Sequence, residues 1–573
     1  QYLALYDLYN ATNGPSWTWH KPYARFGMPW QFEAGADPCS DSWQSIICSN
    51  YSGQFDIISL DHVDYYLNGT LPDSIGDLSG LHVLQLGSGL RGTIPATVSK
   101  LTNLTSLILN QNHLTGTIPV LLRSLTRLAE LNLYGNHLNG TVPDWIGELA
   151  DLTLLGLGYN ALTGQLPPSL SNLTNLAQVY LEYNYLHGPL LTHFRSMANL
   201  TKVSAESNRF TGHIPDSLCG LASLTQLELD YNLLSSAIPP CIGDLVSIEY
   251  VSLEGNRLTG PLPETMGNMR NLQNFRAGFN QLSQTIPESL GTLPLLTRLN
   301  LLHNGLVGTI PSSLWSLPLL QNLYLNTNQL TGLLPVFMNE SYSLLEHINI
   351  SSNCLHGAIP ASIELLRELL VFSASENLFT GTIPATVGNM PLEVLQISNN
   401  MITGTIPPTF QRLSSLITLS LQGNRLSGTL DAAFAATQVN LITVQLDYNQ
   451  FTGELPAVLF ELRSLISLSI VGSCLHGTLP SNICNATSLE ALVLYGLTTG
   501  ASCRVVGVKA LSMHEQQFGG AFPECVLALP KLRTLLLASN QLTGQINVVK
   551  LQSPLLQLDL SHNLLSGSIP ESI

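Results

Sequence analysis

Tyrosines and carboxylates recur side by side through the middle of this chain: Tyr159; Gln178, Tyr180, Glu182 and Tyr183; Lys202, Ser204 and Glu206; Gln226, Glu228, Asp230 and Tyr231; Tyr250, Ser252 and Glu254. Further on the pattern turns basic, with Arg276, Phe279, Arg298 and His303. Phenol rings beside acids suit basic peptides. They also suit glycans, whose faces stack on rings while their hydroxyls meet carboxylates. An acidic surface kept for solubility is the plain alternative. Catalytic chemistry has fewer claimants. The stretch HEQQF, His514 to Phe518, stops one residue short of the zinc pattern H-E-x-x-H, because Phe518 stands where the second imidazole is needed. No G-x-S-x-G elbow, Walker loop, dinucleotide glycine loop or EF-hand ladder occurs. The histidines are scattered, several at equivalent outer-turn positions such as His113, His137, His356 and His476, and read as solvated. An enzyme needs acid and base gathered at one place, and nothing here gathers them. The chain is therefore expected to be no enzyme and to need no metal or cofactor.

The elements that carry these residues are set by a period. Asparagines stand at 112, 136, 160, 184, 208, 232, 256, 280, 304 and 328, always 24 apart. Around each runs the frame L-x-L-x-x-N-x-L-x-G-x-I/L-P, as in Leu131, Leu133, Asn136, Leu138, Gly140, Val142 and Pro143. It continues through Asn353, Asn377, Asn400, Asn424 and Asn449, then Ser473 in the asparagine slot, and later Asn540 and Asn563, for about 21 coils in all. Leucines at period two make a short strand with alternate side chains inward. The asparagine amide, donor and acceptor at once, can satisfy main-chain groups of neighbouring coils where no regular partner exists. Glycine permits a tight path and proline starts the outer segment. One coil cannot bury its own leucines, but stacked copies can. The x positions of each strand then project from a concave sheet, which makes Tyr159, Tyr180, Glu182, Tyr183, Glu206, Glu228, Asp230, Tyr231, Tyr250, Glu254, Arg276 and Arg298 the candidate ligand-contacting column.

This frame resembles the leucine-rich repeat family, and the G-x-I-P segment at a 24-residue period is similar to its plant-type branch, seen in receptor ectodomains and inhibitor proteins. The resemblance covers residues 57 to 573. It implies an α/β repeat solenoid with a parallel concave sheet. Residues 1 to 56 lack the frame, are rich in aromatics (Trp17, Trp19, Trp30) and end in DPCSDSWQSIIC. Cys39, Trp43 and Cys48 resemble the C-x-W-x-G-V-x-C end of the family's N-terminal cap, with Ser45 in place of its glycine. The resemblance implies a Cys39–Cys48 disulfide, which would hold an aromatic lid over the first coil's apolar end.

Other cysteines are read from position. Cys219 and Cys241 lie four and two residues after Pro215 and Pro239, in adjacent outer segments, where they can bridge. Pro523 stands 29 positions after Leu494 where about ten are usual, so an insertion loops out at about 497–517. It carries Cys503, with Cys484 or Cys525 as its expected anchor. The pairing of Cys354, Cys474 and Cys484 stays open. Asn-x-Ser/Thr sequons occur at Asn10, Asn50, Asn68, Asn103, Asn139, Asn172, Asn199, Asn339, Asn349 and Asn485. Sequons and disulfides point to the secretory route. Asn349 falls between inward Ile348 and Ile350, so a glycan there would sit on the concave sheet.

With 22 Lys+Arg against 38 Asp+Glu, the net charge of −16 disfavours nucleic acid and anionic membrane surfaces as partners. No apolar run reaches the eighteen residues of a membrane span. A start at Gln1 suggests a processed product. The last residues, LDLSHNLLSGSIPESI, stop within a repeat, so the protein is expected either to continue or to self-associate through that face. The leading expectation is a secreted or cell-surface recognition module that binds a protein, peptide or glycan, one case being inhibition of a secreted hydrolase. The alternative is a structural glycoprotein of a wall, sheath or filament.

Overall fold

The computed structural model describes residues 1–21, 26–51, 54–62, 65–87, 89–190, 196–336, 343–495, 517–546 and 553–569. The chain divides into two compact units, Gln1–Ser283 and Gln284–Ile573.

The first unit opens on helix Tyr2–Ala11 and an antiparallel pair, Ile46–Tyr51 with Gln54–His62. The second of these strands starts a parallel ladder that runs through Val83–Leu86, Ser106–Ile108 and Glu130–Asn132 to Asn274–Arg276. Among the described residues this unit has ten such strands, and the second unit has eleven, from Arg298–Asn300 to Gln557–Asp559. They match the expected coils one for one. Most coils continue into a second short strand, such as Arg209–Gly212 beside Leu233–Ser236, and then into a 3-10 turn opened by proline; the coil of Asn424 has Asp431 in the proline slot and no such turn before Thr443–Gln445. Pro143, at φ −77°, starts the turn Asp144–Glu148 in this way. The core is a stack of leucines: Leu84, Leu107, Leu131 and Leu155 are fully buried, in register at successive strands.

The asparagines do what their chemistry requires. Asn136 Nδ2 donates to the carbonyls of Leu133 at 3.0 Å in its own coil and Leu109 at 2.8 Å in the coil before. Its Oδ1 accepts from the Leu114 N–H at 3.0 Å. Asn184, Asn208, Asn232 and Asn256 repeat the pattern in the first unit, and Asn377 and Asn424 do so in the second. The first coil departs from it. Tyr65 occupies the asparagine slot, stacks at 3.8 Å on buried His62, and hydrogen-bonds Gln44 at 3.1 Å. Trp17 and Trp30 close over His62, and Trp43 stacks on Trp30, as the lid of the cap.

Cys39–Cys48 forms as the resemblance implies, and Cys219–Cys241 joins two outer turns with its Cα atoms 5.6 Å apart. The anchor expected for Cys503 is corrected. Cys484 and Cys525 pair with each other, so neither holds Cys503, which lies outside the described residues. The reason was readable: Cys484 and Cys525 stand four and two residues after Pro480 and Pro523, the same register as Cys219 and Cys241. Cys474 is also disulfide-bonded, and Cys354 is a free, exposed thiol. The insertion at 497–517 lies outside the described residues up to Gln516. Across it the ladders close regardless, Ala491–Val493 on Thr534–Leu536 and Cys474–Thr478 on Gln517–Gly519. Phe518 is wholly buried there. No helix among the described residues is long and apolar enough to cross a membrane.

Candidate functional site

Strand register turns the candidate column into rows. Tyr180, Ser204, Glu228, Ser252 and Arg276 face one another across five consecutive strands of the first unit. Two residues further along, Tyr134, Gly158, Glu182, Glu206, Asp230 and Glu254 form a second row, so four acids follow one another at single-strand spacing. Beside it runs a third row, Tyr159, Tyr183, Ser207 and Tyr231. These four residues have left-handed φ of 53°, 51°, 54° and 52°. That turn is held by the ladder, since the Tyr159, Tyr183, Ser207 and Tyr231 N–H groups donate to the carbonyls of Glu182, Glu206, Asp230 and Glu254 at 2.7–3.0 Å. It directs the tyrosine rings outward, where Tyr159, Tyr183 and Tyr231 are exposed. The Tyr159 and Tyr183 rings stack at 4.3 Å, and Tyr134 lies tilted against Tyr159 at 5.1 Å.

The acid row differs from the expected exposed column. Glu182 and Glu254 are only 5% exposed. Strands one step apart crowd these side chains against their neighbours. Glu254 is covered by a fork from Arg276, whose Nη2 and Nε lie 2.7 and 3.0 Å from Oε2, while Nη1 reaches the Tyr250 hydroxyl at 3.3 Å. Glu182 folds back over Gly158, where a Cβ would stand 2.7 Å from the Glu182 carboxyl carbon. Its Oε2 is buried without a hydrogen-bond donor. Glu206, Glu228 and Asp230 are half-buried. Lys202 pairs with Glu228 at 3.2 Å and lies 5.4 Å from the Tyr180 ring centre.

Electrostatics follow from crowding. Burial first, then Glu206 and Glu228, push the Glu182 carboxyl up to about 7. Glu206 and Asp230 are raised as well, by burial first and by the acids beside them. The Tyr134 phenol is raised by burial and by Glu182. Among the described residues no group of three or more His, Cys, Asp or Glu side chains is placed to hold a metal ion.

Arg298 belongs to the second unit, where its guanidinium lies 5.1 Å from the Tyr324 ring. The column read from sequence missed Ser207, one 24-residue period after Tyr183, and Tyr134, two periods before Glu182. Of the sequons, Asn10, Asn68, Asn139, Asn172, Asn199 and Asn485 are exposed, and Asn103 and Asn349 are half-buried. Asn339 and the Asn50 side chain fall outside the described residues. His113 and His137 are exposed and stack at 5.6 Å.

The leucine rich repeat family model matches residues 126–186, with single-repeat matches at 103–125, 199–221, 247–269, 295–317, 391–413 and 554–573. The Arabidopsis receptor kinase HAESA ectodomain, solved with an extended IDA peptide hormone, is 31% identical over 94% of this chain and 91% of its own, with a TM-score of 0.78. The plant peptide hormone receptor RGFR1, solved with RGF2, is 28% identical over 92% of this chain and 96% of its own, at 0.74. PEPR1 with AtPEP1 is 27% identical over 99% and 90%, at 0.67. Repeats, cap disulfide and full-length likeness agree, and the chain belongs to the leucine-rich repeat family, homologous to the extracellular ectodomains of plant receptors.

Proposed function

We propose that this is an extracellular, non-enzymatic recognition module whose concave face in the first unit binds a peptide or a peptide-like segment of a protein. The observation that carries the reading is the third row: tyrosine rings held outward by left-handed backbone, next to a row of acids. Outward rings at an ordered spacing give a ligand large contact area at little entropy cost. The relatives named above were solved with peptides, which supports a peptide over a glycan. Tyr159, Tyr180, Tyr183, Tyr231 and Tyr250 are assigned ring contacts, and Glu206, Glu228, Asp230 and Arg276 polar ones. Glu182 and Glu254 set the field from beneath.

A phage-displayed random dodecapeptide library, panned on the intact protein and then on Tyr159→Ala/Tyr183→Ala, tests the reading. Selected peptides are expected to lose at least tenfold in affinity on the variant. Binders indifferent to it would move the site elsewhere.

A further inference from the structure

The two sealed acids of the second row are held differently. Glu254 is gripped by the Arg276 fork. Glu182 is equally buried, yet no described cation forms an ion pair with it and its Oε2 has no hydrogen-bond donor. An unpaired buried oxygen costs stability, so its presence needs a reason.

The reason lies one strand away. In strand Leu154–Gly156, Gly156 stands between Asn132 and Tyr180 in the first row, and Gly158 follows in the second. Among the described strands from Glu130–Asn132 to Asn274–Arg276, this coil alone presents bare main chain in both rows. Neither glycine has the left-handed φ that would demand one. What the missing side chains leave is a hollow one coil wide. Asn132 fills half of it: its Oδ1 lies 2.7 Å from where a Gly156 Cβ would stand and accepts the Tyr134 N–H at 3.3 Å. The Glu182 carboxyl fills the other half, its carbon 2.7 Å and both oxygens 2.9 Å from the Cβ position of Gly158.

Asn132 is thus tied to its own turn, while Glu182 Oε2 has no such tie. The Glu182 main chain is fixed, since its carbonyl accepts from the Tyr159 N–H at 2.7 Å and from Asn184 Nδ2 at 3.3 Å. Only the side chain is left to move. In the hollow, burial first and then Glu206 and Glu228 push the carboxyl up to about 7. Turned out onto the face, it becomes a solvated carboxylate that still feels the repulsion of Glu206, and a cation is the group that offsets that repulsion.

Resting on the peptide-binding reading above, we propose that Gly158 determines specificity by storing the Glu182 carboxyl in the free protein, from where a cationic group of the bound peptide draws it out into direct contact. Until then Glu182 acts from beneath. The device selects cationic peptides and keeps one charge off an already acidic face while no ligand is present.

The test uses dodecapeptides selected on the intact protein, with affinity read by fluorescence anisotropy near neutral pH. Gly158→Ala fills the hollow, so the carboxyl starts outside, and cationic peptides are expected to bind about fivefold tighter. Glu182→Gln is expected to weaken the same peptides about fivefold, alone or combined with Gly158→Ala. Unaltered circular dichroism spectra show that the fold is kept. Each cation of the peptide is then neutralised in turn: arginine as citrulline, lysine as acetyl-lysine, the amino terminus by acetylation. One of these is expected to abolish both effects, which tells a side chain from the terminus. A crystal structure of the wild-type complex is expected to show the carboxyl off Gly158 and on that group. Peptides that need Tyr159 and Tyr183 but ignore Gly158→Ala and Glu182→Gln, or a complex with the carboxyl still over Gly158, would overturn the proposal and keep the concave-face reading. Binders indifferent to Tyr159→Ala/Tyr183→Ala would overturn both.

Discussion

At the scale of single residues, two kinds of polar side chain carry opposite energetic signs. The slot asparagines are saturated: Asn136 serves three main-chain carbonyls and one N–H. Asn136→Ala leaves those buried groups unpaired, a loss of about 1–3 kcal/mol. The damage should be local, because a repeat array opens coil by coil. Hydrogen exchange should therefore show the Leu114 amide deprotected while amides several coils away keep their rates. Glu182 is the reverse case, a carboxyl that burial lifts from 4.5 to about 7. Folding raises its proton affinity, so below 4.5 both states hold the proton and no penalty applies. As pH rises to about 7 the penalty develops fully, on the order of 3 kcal/mol against the folded state. Glu182→Gln is accordingly expected to raise the melting temperature at pH 8 and to change it little at pH 4. A variant that melts lower at pH 8 would show that the carboxylate is stabilised by its neighbours.

At the scale of elements, the cap and first coil are joined by an unusually close approach. Asn68 donates its N–H to the Thr12 carbonyl at 3.0 Å, and at Gly69 a Cβ would stand 1.8 Å from the Ala11 carbonyl oxygen. Main chain cannot swing aside as a side chain can, so Gly69→Ala is expected to lift helix Tyr2–Ala11. The readout is trypsin or thermolysin cleavage within the first 60 residues, which should speed up well before the repeats are cut. His62 is the second hinge of this region. Burial among Trp17, Trp30 and Tyr65, and then His20, lower its pKa to about 3. The unfolded chain binds that proton near pH 6.5, so the stability it protects is lost as pH falls from 6.5 toward 3. His62→Phe keeps a ring in the stack and is expected to flatten the acid limb of thermal stability between pH 6.5 and 4. An unchanged limb would assign acid sensitivity to other groups.

At the scale of the molecule, the concave face of the second unit carries a different test. Asn349 lies in strand His347–Asn349, half-buried, with Oδ1 accepting from the Ser351 N–H at 3.1 Å. Glycopeptide mass spectrometry should find Asn349 occupied less often than exposed Asn68 or Asn172, since that side chain is committed to its own turn; full occupancy would place a glycan on the concave sheet and restrict ligands there. The fold itself was legible from sequence, because a solenoid repeats one local solution. Leucines at period two, an amide that must satisfy neighbouring coils, and proline opening most outer turns fix the coil, and a near-constant 24-residue spacing fixes the register between coils. The cysteine rule was equally legible, since positions four and two residues after successive prolines fall opposite each other. What sequence could not supply is depth within a row. Whether an acid two residues before the asparagine faces water or is sealed depends on the side chains one strand away on either side: Gly158 makes room for Glu182, Arg276 covers Glu254, and the small Ser207 interrupts the tyrosine row between Tyr183 and Tyr231. Those neighbours are about 24 residues distant in the chain and a single strand step apart in space, so only the assembled stack decides which carboxylates are shielded and which are left for a ligand.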